Sequence, residues 1–153
     1  MALYLVQHGK SLSKEQDPRK GLSEEGAAEV KRIAEVAANY GVTVSRIVHS
    51  GKQRALQTAE ILAEILSPAE GVRAIDGINP LDDATAFGSA LQIKEDMMVV
   101  GHLPFLEKLV AFLVTGKTEP PIFRMQNGGI LCMDYYPDGT NIVIRWGLMP
   151  HVG

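Results

Sequence analysis

Leu3-Tyr4-Leu5-Val6-Gln7-His8-Gly9 opens the chain with an apolar run that stops on a polar triplet. Four consecutive apolar residues are too few for a core helix and suit a buried strand. The same layout recurs twice. Ile47-Val48 leads to Ser50 and then Arg54, and Met97 to Val100 leads into Gly101-His102-Leu103-Pro104. Each strand-like run is followed by a polar group at or near the start of a helix-like stretch. In a parallel sheet the carboxyl ends of the strands face one way, and ligand sites form outside them. His8, Arg54 and His102 are therefore expected to meet at one edge of a sheet, although the sequence spreads them widely.

The rest of the chain keeps this alternation, which argues for an α/β layered fold. After a polar loop from Lys10 to Gly21, Ser23 reads as a helix cap. Ala27, Val30, Ile33, Ala34 and Ala37 give the helix behind it one apolar face, and Gly41 ends it. A second strand is expected over Arg46 to His49. Ser50-Gly51-Lys52-Gln53 has the Ser-x-x-Gln form of a capping box, so Ser50 is read as the cap of a second helix that stops before Pro68. Val72 to Ile75 reads as a short strand, Ala84 to Leu91 as a short helix, and Met97 to Val100 as a strand buried on both faces. Pro104 suits the first turn of a helix whose stripe runs from Leu103 to Val114, closed by Gly116. Ile130 to Tyr136 and Asn141 to Leu148, joined by Pro137-Asp138-Gly139-Thr140, form an antiparallel hairpin at the end of the sheet.

Composition narrows the function classes. The 153 residues suit one domain spanning 1–153, and a hydrophobic fraction of 46% is enough for a core. A net charge of −3 leaves no broad basic face, so no nucleic-acid partner is expected. Cys132 is the one cysteine, which rules out an internal disulfide framework and points to a reducing compartment. No leader-like segment opens the chain, and no apolar run approaches the about 20 residues of a membrane span. A soluble, cytoplasmic protein with no membrane partner is expected, with monomer as the default state.

Gly9-Lys10-Ser11 and Gly116-Lys117-Thr118 imitate the end of a phosphate-binding P-loop. That loop needs a further glycine five residues before the Gly-Lys pair, and Tyr4 and Ala111 stand there instead, inside regular elements. The histidines, His8, His49, His102 and His151, show no helical metal spacing, so neither metal nor cofactor is expected. A histidine pair beside an arginine suits the handling of a phosphoryl group instead.

Taken together, Gln7-His8-Gly9, Asp17-Pro18-Arg19 with Leu22-Ser23-x-x-Gly26, Ser50-x-x-x-Arg54-Ala55-x-Gln57-Thr58-Ala59 and Gly101-His102-x-Pro104 resemble the motifs of the histidine phosphatase superfamily. The chain is most similar to its small SixA-type phosphohistidine phosphatases. The resemblance runs from Leu3 to about Leu113. It implies a phosphoglycerate-mutase-like, three-layer α/β/α sandwich whose central sheet is mostly parallel, with an antiparallel C-terminal strand. Three positions depart from the family pattern: Gln7 stands for an arginine, Lys10 for a commonly acidic residue, and Gly51 for a proline in the Ser50 to Ala59 segment.

By chemistry and by resemblance, His8 is expected to be the nucleophile, with its second ring nitrogen held by the Gly9 carbonyl. Arg54 is expected to grip the non-bridging oxygens in a bidentate fork. His102 is expected to donate to them in the transition state, helped by the Leu103 amide. Gln7 serves as a neutral phosphate ligand, and Lys10 restores positive charge nearby. Lys52 is read as a solvated lysine on the rim. Asp82 and Asp83 are the candidate general acids, and as turn residues they are equally well accounted for. A phosphoramidate needs little acid help, because imidazole leaves more easily than an alkoxide. The expected function is metal-independent hydrolysis of phosphohistidine on a protein substrate, through a phosphorylated His8. The alternatives are a phosphoanion- or phosphoprotein-binding module with weak or no catalysis, and a small-molecule phosphomonoesterase.

Overall fold

Strands and helices alternate as β1 (Leu3–Gln7), α1 (Glu24–Asn39), β2 (Arg46–His49), α2 (Gln53–Leu66), β3 (Val72–Ala74), α3 (Ala84–Ala90), β4 (Met97–Gly101) and α4 (Phe105–Thr115), followed by β5 (Ile130–Tyr135) and β6 (Ile142–Leu148). The computed structural model describes residues 1–152. The strands form one six-stranded sheet in the order β3-β2-β4-β1-β5-β6. The pairs β1–β4, β4–β2 and β2–β3 are parallel, while β5 is antiparallel to both β1 and β6. The reversed strand is therefore β5, and β6 turns back to the direction shared by the other four.

Every residue of β1 is buried, because helices cover both faces of the sheet. Successive side chains of a strand point to opposite faces. Tyr4 and Val6 accordingly join one core with Val30, Ile33 and Ala34 of α1 and Ala55, Ala59 and Leu62 of α2. Leu3 and Leu5 join the other, with Ala84 of α3 and Phe105, Leu106, Leu109 and Val110 of α4. The three layers expected from the sequence follow from this division. No helix of the described residues is long and apolar enough to cross a membrane.

Register then positions the site. Gln7 pairs with Gly101, and His49 pairs with Val100, so β1, β2 and β4 end at nearly the same level. The residues that follow, His8, Ser50 and His102, leave the sheet side by side.

The helix ends obey local chemistry with one exception. Ser23 caps α1, its hydroxyl accepting from the Gly26 amide at 3.0 Å. Gly41 (φ +81°) follows the last turn of α1, and Gly116 (φ +80°) closes α4. The exception corrects the reading of Ser50: α2 begins at Gln53 with Lys52 at the cap position, and no side chain caps it. The Ser50 hydroxyl is engaged elsewhere.

The loop after β1 lies flat on the first turn of α1. Ser23 donates to the Lys10 carbonyl through its amide at 3.0 Å and its hydroxyl at 3.2 Å. Gly26 allows this approach, since a Cβ there would stand 2.1 Å from the Lys10 carbonyl oxygen.

Candidate active site

His8 is held by its backbone before its ring does anything. Its amide donates to the Gly101 carbonyl at 3.0 Å, and its carbonyl accepts from Asn127 Nδ2 at 2.9 Å. The ring's Nδ1 lies 2.7 Å from the Gly9 carbonyl. A carbonyl can only accept, so in the neutral ring the proton sits on Nδ1 and Nε2 carries the lone pair. Arg54 Nε donates to that Nε2 at 3.3 Å. The fully buried Thr58, one turn further along α2, links the two elements: its hydroxyl accepts from the Gly9 amide at 3.0 Å and donates to the Arg54 carbonyl at 2.8 Å.

The His102 ring lies 5.0 Å from that of His8, centroid to centroid, and is buried. Its Nε2 stands 2.6 Å from Ser50 Oγ. The Lys52 amide donates to the same oxygen at 3.4 Å. With the serine proton directed at Nε2, the imidazole proton sits on Nδ1, a nitrogen that is buried with no partner among the described residues.

Both rings are neutral near pH 7. Burial pulls His8 down to about 4; the Gly9 hydrogen bond opposes this and Arg54 adds to it. His102 is lowered to about 3, first by burial and then by His8, Arg54 and Lys52. Burial also lowers Arg54, which remains a cation because guanidinium does not deprotonate in proteins. A free imidazole lone pair, a guanidinium beside it and a second imidazole with an unpaired N–H can handle one tetrahedral anion.

The structure thus brings together His8, Gly9, Arg54 and His102, the centre expected from the sequence. Gln7 is buried beside them and its Oε1 has no partner among the described residues. Leu103 lies in the turn that follows His102 and, with Gln7, lines an adjacent open cleft of about 740 Å³. Lys10 corrects an expectation. Its ammonium is 2.9 Å from Glu25 Oε1 and 3.7 Å from Glu29 Oε1, so its charge is neutralised by α1 rather than compensating for Gln7. Asp82 accepts from the Asn79 amide at 2.8 Å, and Asp83 caps α3. Both line a different cleft, to which none of His8, Arg54 and His102 contributes. Among the described residues, no three His, Cys, Asp or Glu side chains gather as a metal site would require. Sequence reasoning missed Ser50 as a partner of His102, Thr58 as a strut and Asn127 as an anchor of His8.

The family model of the histidine phosphatase superfamily (branch 1) matches residues 3–79, half of the chain. The chain is 26% identical over 156 residues to the phosphohistidine phosphatase SixA of Escherichia coli (strain K12), covering 98% of this chain and 94% of that protein. The solved structure of the protein histidine phosphatase SixA complexed with tungstate has a TM-score of 0.84 at 24% identity, covering 98% and 97% of the two chains. That of the alpha-ribazole phosphatase from Shigella flexneri has a TM-score of 0.74 at 16% identity, covering 100% and 98%.

Proposed function

The chain is a phosphatase of the histidine phosphatase superfamily, and within that class we propose that it hydrolyses phosphohistidine on a protein, with His8 as the nucleophile. The observation that carries this reading is the His8 ring itself: Nδ1 is tied to the Gly9 carbonyl at 2.7 Å, and Nε2 presents its lone pair 3.3 Å from a guanidinium. A phosphoryl group gripped by Arg54 is thereby set against the nitrogen that attacks it.

In the first step His8 Nε2 bonds to phosphorus as the P–N bond of the substrate breaks. A substrate imidazole protonated on its far nitrogen takes the bonding pair and leaves neutral, so no enzymic acid is required. Water then attacks the phosphorus on His8, its proton passes to the departing phosphate, and the His8 lone pair is restored. Arg54 holds the non-bridging oxygens, and Gln7 offers them its amide N–H. His102 Nδ1–H meets the negative charge that develops on them. Ser50 acts through His102 by holding the tautomer that keeps this proton in place.

The substrate follows from what the site lacks. Asp82 and Asp83 are occupied by a turn and a helix cap, and Glu107 in the adjoining cleft accepts from the Met125 amide at 2.8 Å, so among the described residues no unengaged carboxylic acid stands ready to protonate an alkoxide. A P–N bond to imidazole is the one this equipment breaks best. The relative named as a phosphohistidine phosphatase supports the same choice. In a metal-free assay, a phosphohistidine peptide is expected to turn over at least about a hundredfold faster than an alkyl phosphomonoester, the scale of one missing general acid. Equal rates on both substrates, abolished by Asp82→Asn or Asp83→Asn, would instead establish a phosphomonoesterase.

One observation favours a second reading, a phosphoanion-binding module with weak turnover. With Gln7 neutral and Lys10 paired to α1, Arg54 is the fixed cation that touches the histidine cluster among the described residues. Measurable phosphate affinity without turnover of any phosphorylated peptide would select it.

A further inference from the structure

A phosphoryl group carries about two negative charges near neutral pH, and Arg54 offers one positive charge. The cleft beside the histidines holds what is missing. Its walls include Gln7, Leu103, Glu107, Asn127, Lys10 and Arg124. It adjoins the reacting centre through three of these: Gln7 precedes His8, Leu103 follows His102, and Asn127 donates to the His8 carbonyl at 2.9 Å. Resting on the reading of His8 as the phosphoryl site, we infer that Arg124 is a second phosphoryl-binding cation, reaching the anion across the cleft beside Gln7.

Three observations support this assignment. First, Arg124 is exposed and makes no ion pair among the described residues, whereas the other basic side chains of the cleft are engaged. Lys10 is bound to Glu25 and Glu29, and His151 to Glu29. Glu107, the acid on the same wall, accepts from the Met125 amide at 2.8 Å and forms no pair with Arg124.

Second, the segment that carries Arg124 is fastened to the catalytic loop. Besides Asn127, the Gly128 amide donates to the Gln7 carbonyl at 2.8 Å. Gln126 and the backbone of His151 exchange hydrogen bonds at 2.9 and 3.0 Å. The base of the arginine is therefore set relative to His8, while its long stem leaves the guanidinium free to swing.

Third, the Gln7 carboxamide oxygen is shut from solvent and accepts from none of the described residues. An unpaired buried acceptor is rare and calls for a donor. A guanidinium drawn in beside it, after a turn of the carboxamide, supplies that donor and a second charge together. An arginine at position 7 could only donate. A glutamine there can pass one hydrogen bond to the phosphoryl group and accept another from Arg124.

The test is the affinity of the intact protein for inorganic phosphate by calorimetry, which needs no turnover. Arg124→Ala is expected to raise the dissociation constant about tenfold or more, the scale of one charge-assisted contact. Gln7→Arg in the same background is expected to recover most of the loss, which a structural role of Arg124 cannot produce. Lys108→Ala, at an exposed position on α4 outside the cleft, is expected to leave the constant unchanged. Unaltered phosphate affinity in Arg124→Ala overturns this inference and leaves the His8 assignment standing. So does a loss confined to phosphohistidine peptide, since Arg124 would then be reading the carrier. A wild-type protein that binds no phosphate at all overturns the phosphoryl site and this inference with it.

Discussion

The two imidazoles of the proposed site differ in what holds their outer nitrogens. His8 is tied by the Gly9 carbonyl, an acceptor, which sends its proton to Nδ1. His102 is tied by the Ser50 hydroxyl at 2.6 Å, a group that can donate as well as accept and, when it donates, leaves the ring proton on Nδ1. Ser50→Ala is expected to lower kcat roughly tenfold with little change in KM, because the phosphate contacts survive while the donor is left to choose its tautomer. An unchanged kcat would show that Ser50 only fills space. At this scale the sequence shows His8, Arg54 and His102, since each follows a strand-like run directly. It hides Ser50, because Ser-x-x-Gln is locally the same pattern as a helix cap, and the ring that engages it lies 52 residues away. Asn127 has no local pattern, being a side-chain amide on a carbonyl 119 residues distant.

Among the elements, the loop between β1 and α1 matters most, because it aims His8. Its path is set by contact with α1 at two glycines. A Cβ on Gly9 would stand 2.8 Å from Val30 Cγ2, and one on Gly26 would stand 2.1 Å from the Lys10 carbonyl oxygen. Within a helix, alanine normally improves on glycine by up to about 1 kcal/mol. Gly26→Ala is expected to do the opposite, costing about 1–3 kcal/mol in chemical denaturation as the loop is lifted, with a matching fall in turnover. A stabilised and fully active variant would mean that the loop is not positioned by α1. Apart from the start of α2, which lies two residues later than its Ser50 pattern suggests, helix and strand positions are legible in the sequence to within a residue or so, since periodicity and the punctuation at Ser23, Gly41, Pro68 and Gly116 act locally. The destination of Lys10 was not legible. Its partners, Glu25 and Glu29, lie one turn apart on α1, and only the fold of the intervening loop brings them under it.

Over the whole molecule, the sequence identifies a mostly parallel sheet, but the order β3-β2-β4-β1-β5-β6 depends on pairings between distant segments. Its one hint is burial. The continuous apolar runs of β1 and β4 take the centre, and the short Val72–Ala74, interrupted by Arg73, takes an edge. Placing imidazoles at the strand ends of a covered sheet affects stability as well as chemistry. His8, His49 and His102 are all lowered from 6.5 mainly by burial, His8 to about 4 and His102 to about 3. Below pH 6.5 the unfolded chain therefore binds protons that the folded one refuses. This linkage costs nothing well above pH 6.5 and removes stability progressively as pH falls from there to about 3. Urea denaturation is expected to show stability declining over that window, with a shallower decline in His102→Asn; a flat profile would mean that the rings protonate freely in the fold.

The most direct measurement is rapid quenching of the wild-type protein with a phosphohistidine peptide into alkali, followed by mapping of the bound phosphate. Acid-labile phosphate on His8 of wild type, with none on His8→Ala and no turnover by that variant, is the expected result. Phosphate trapped on another residue, or normal hydrolysis by His8→Ala, would contradict the assignment.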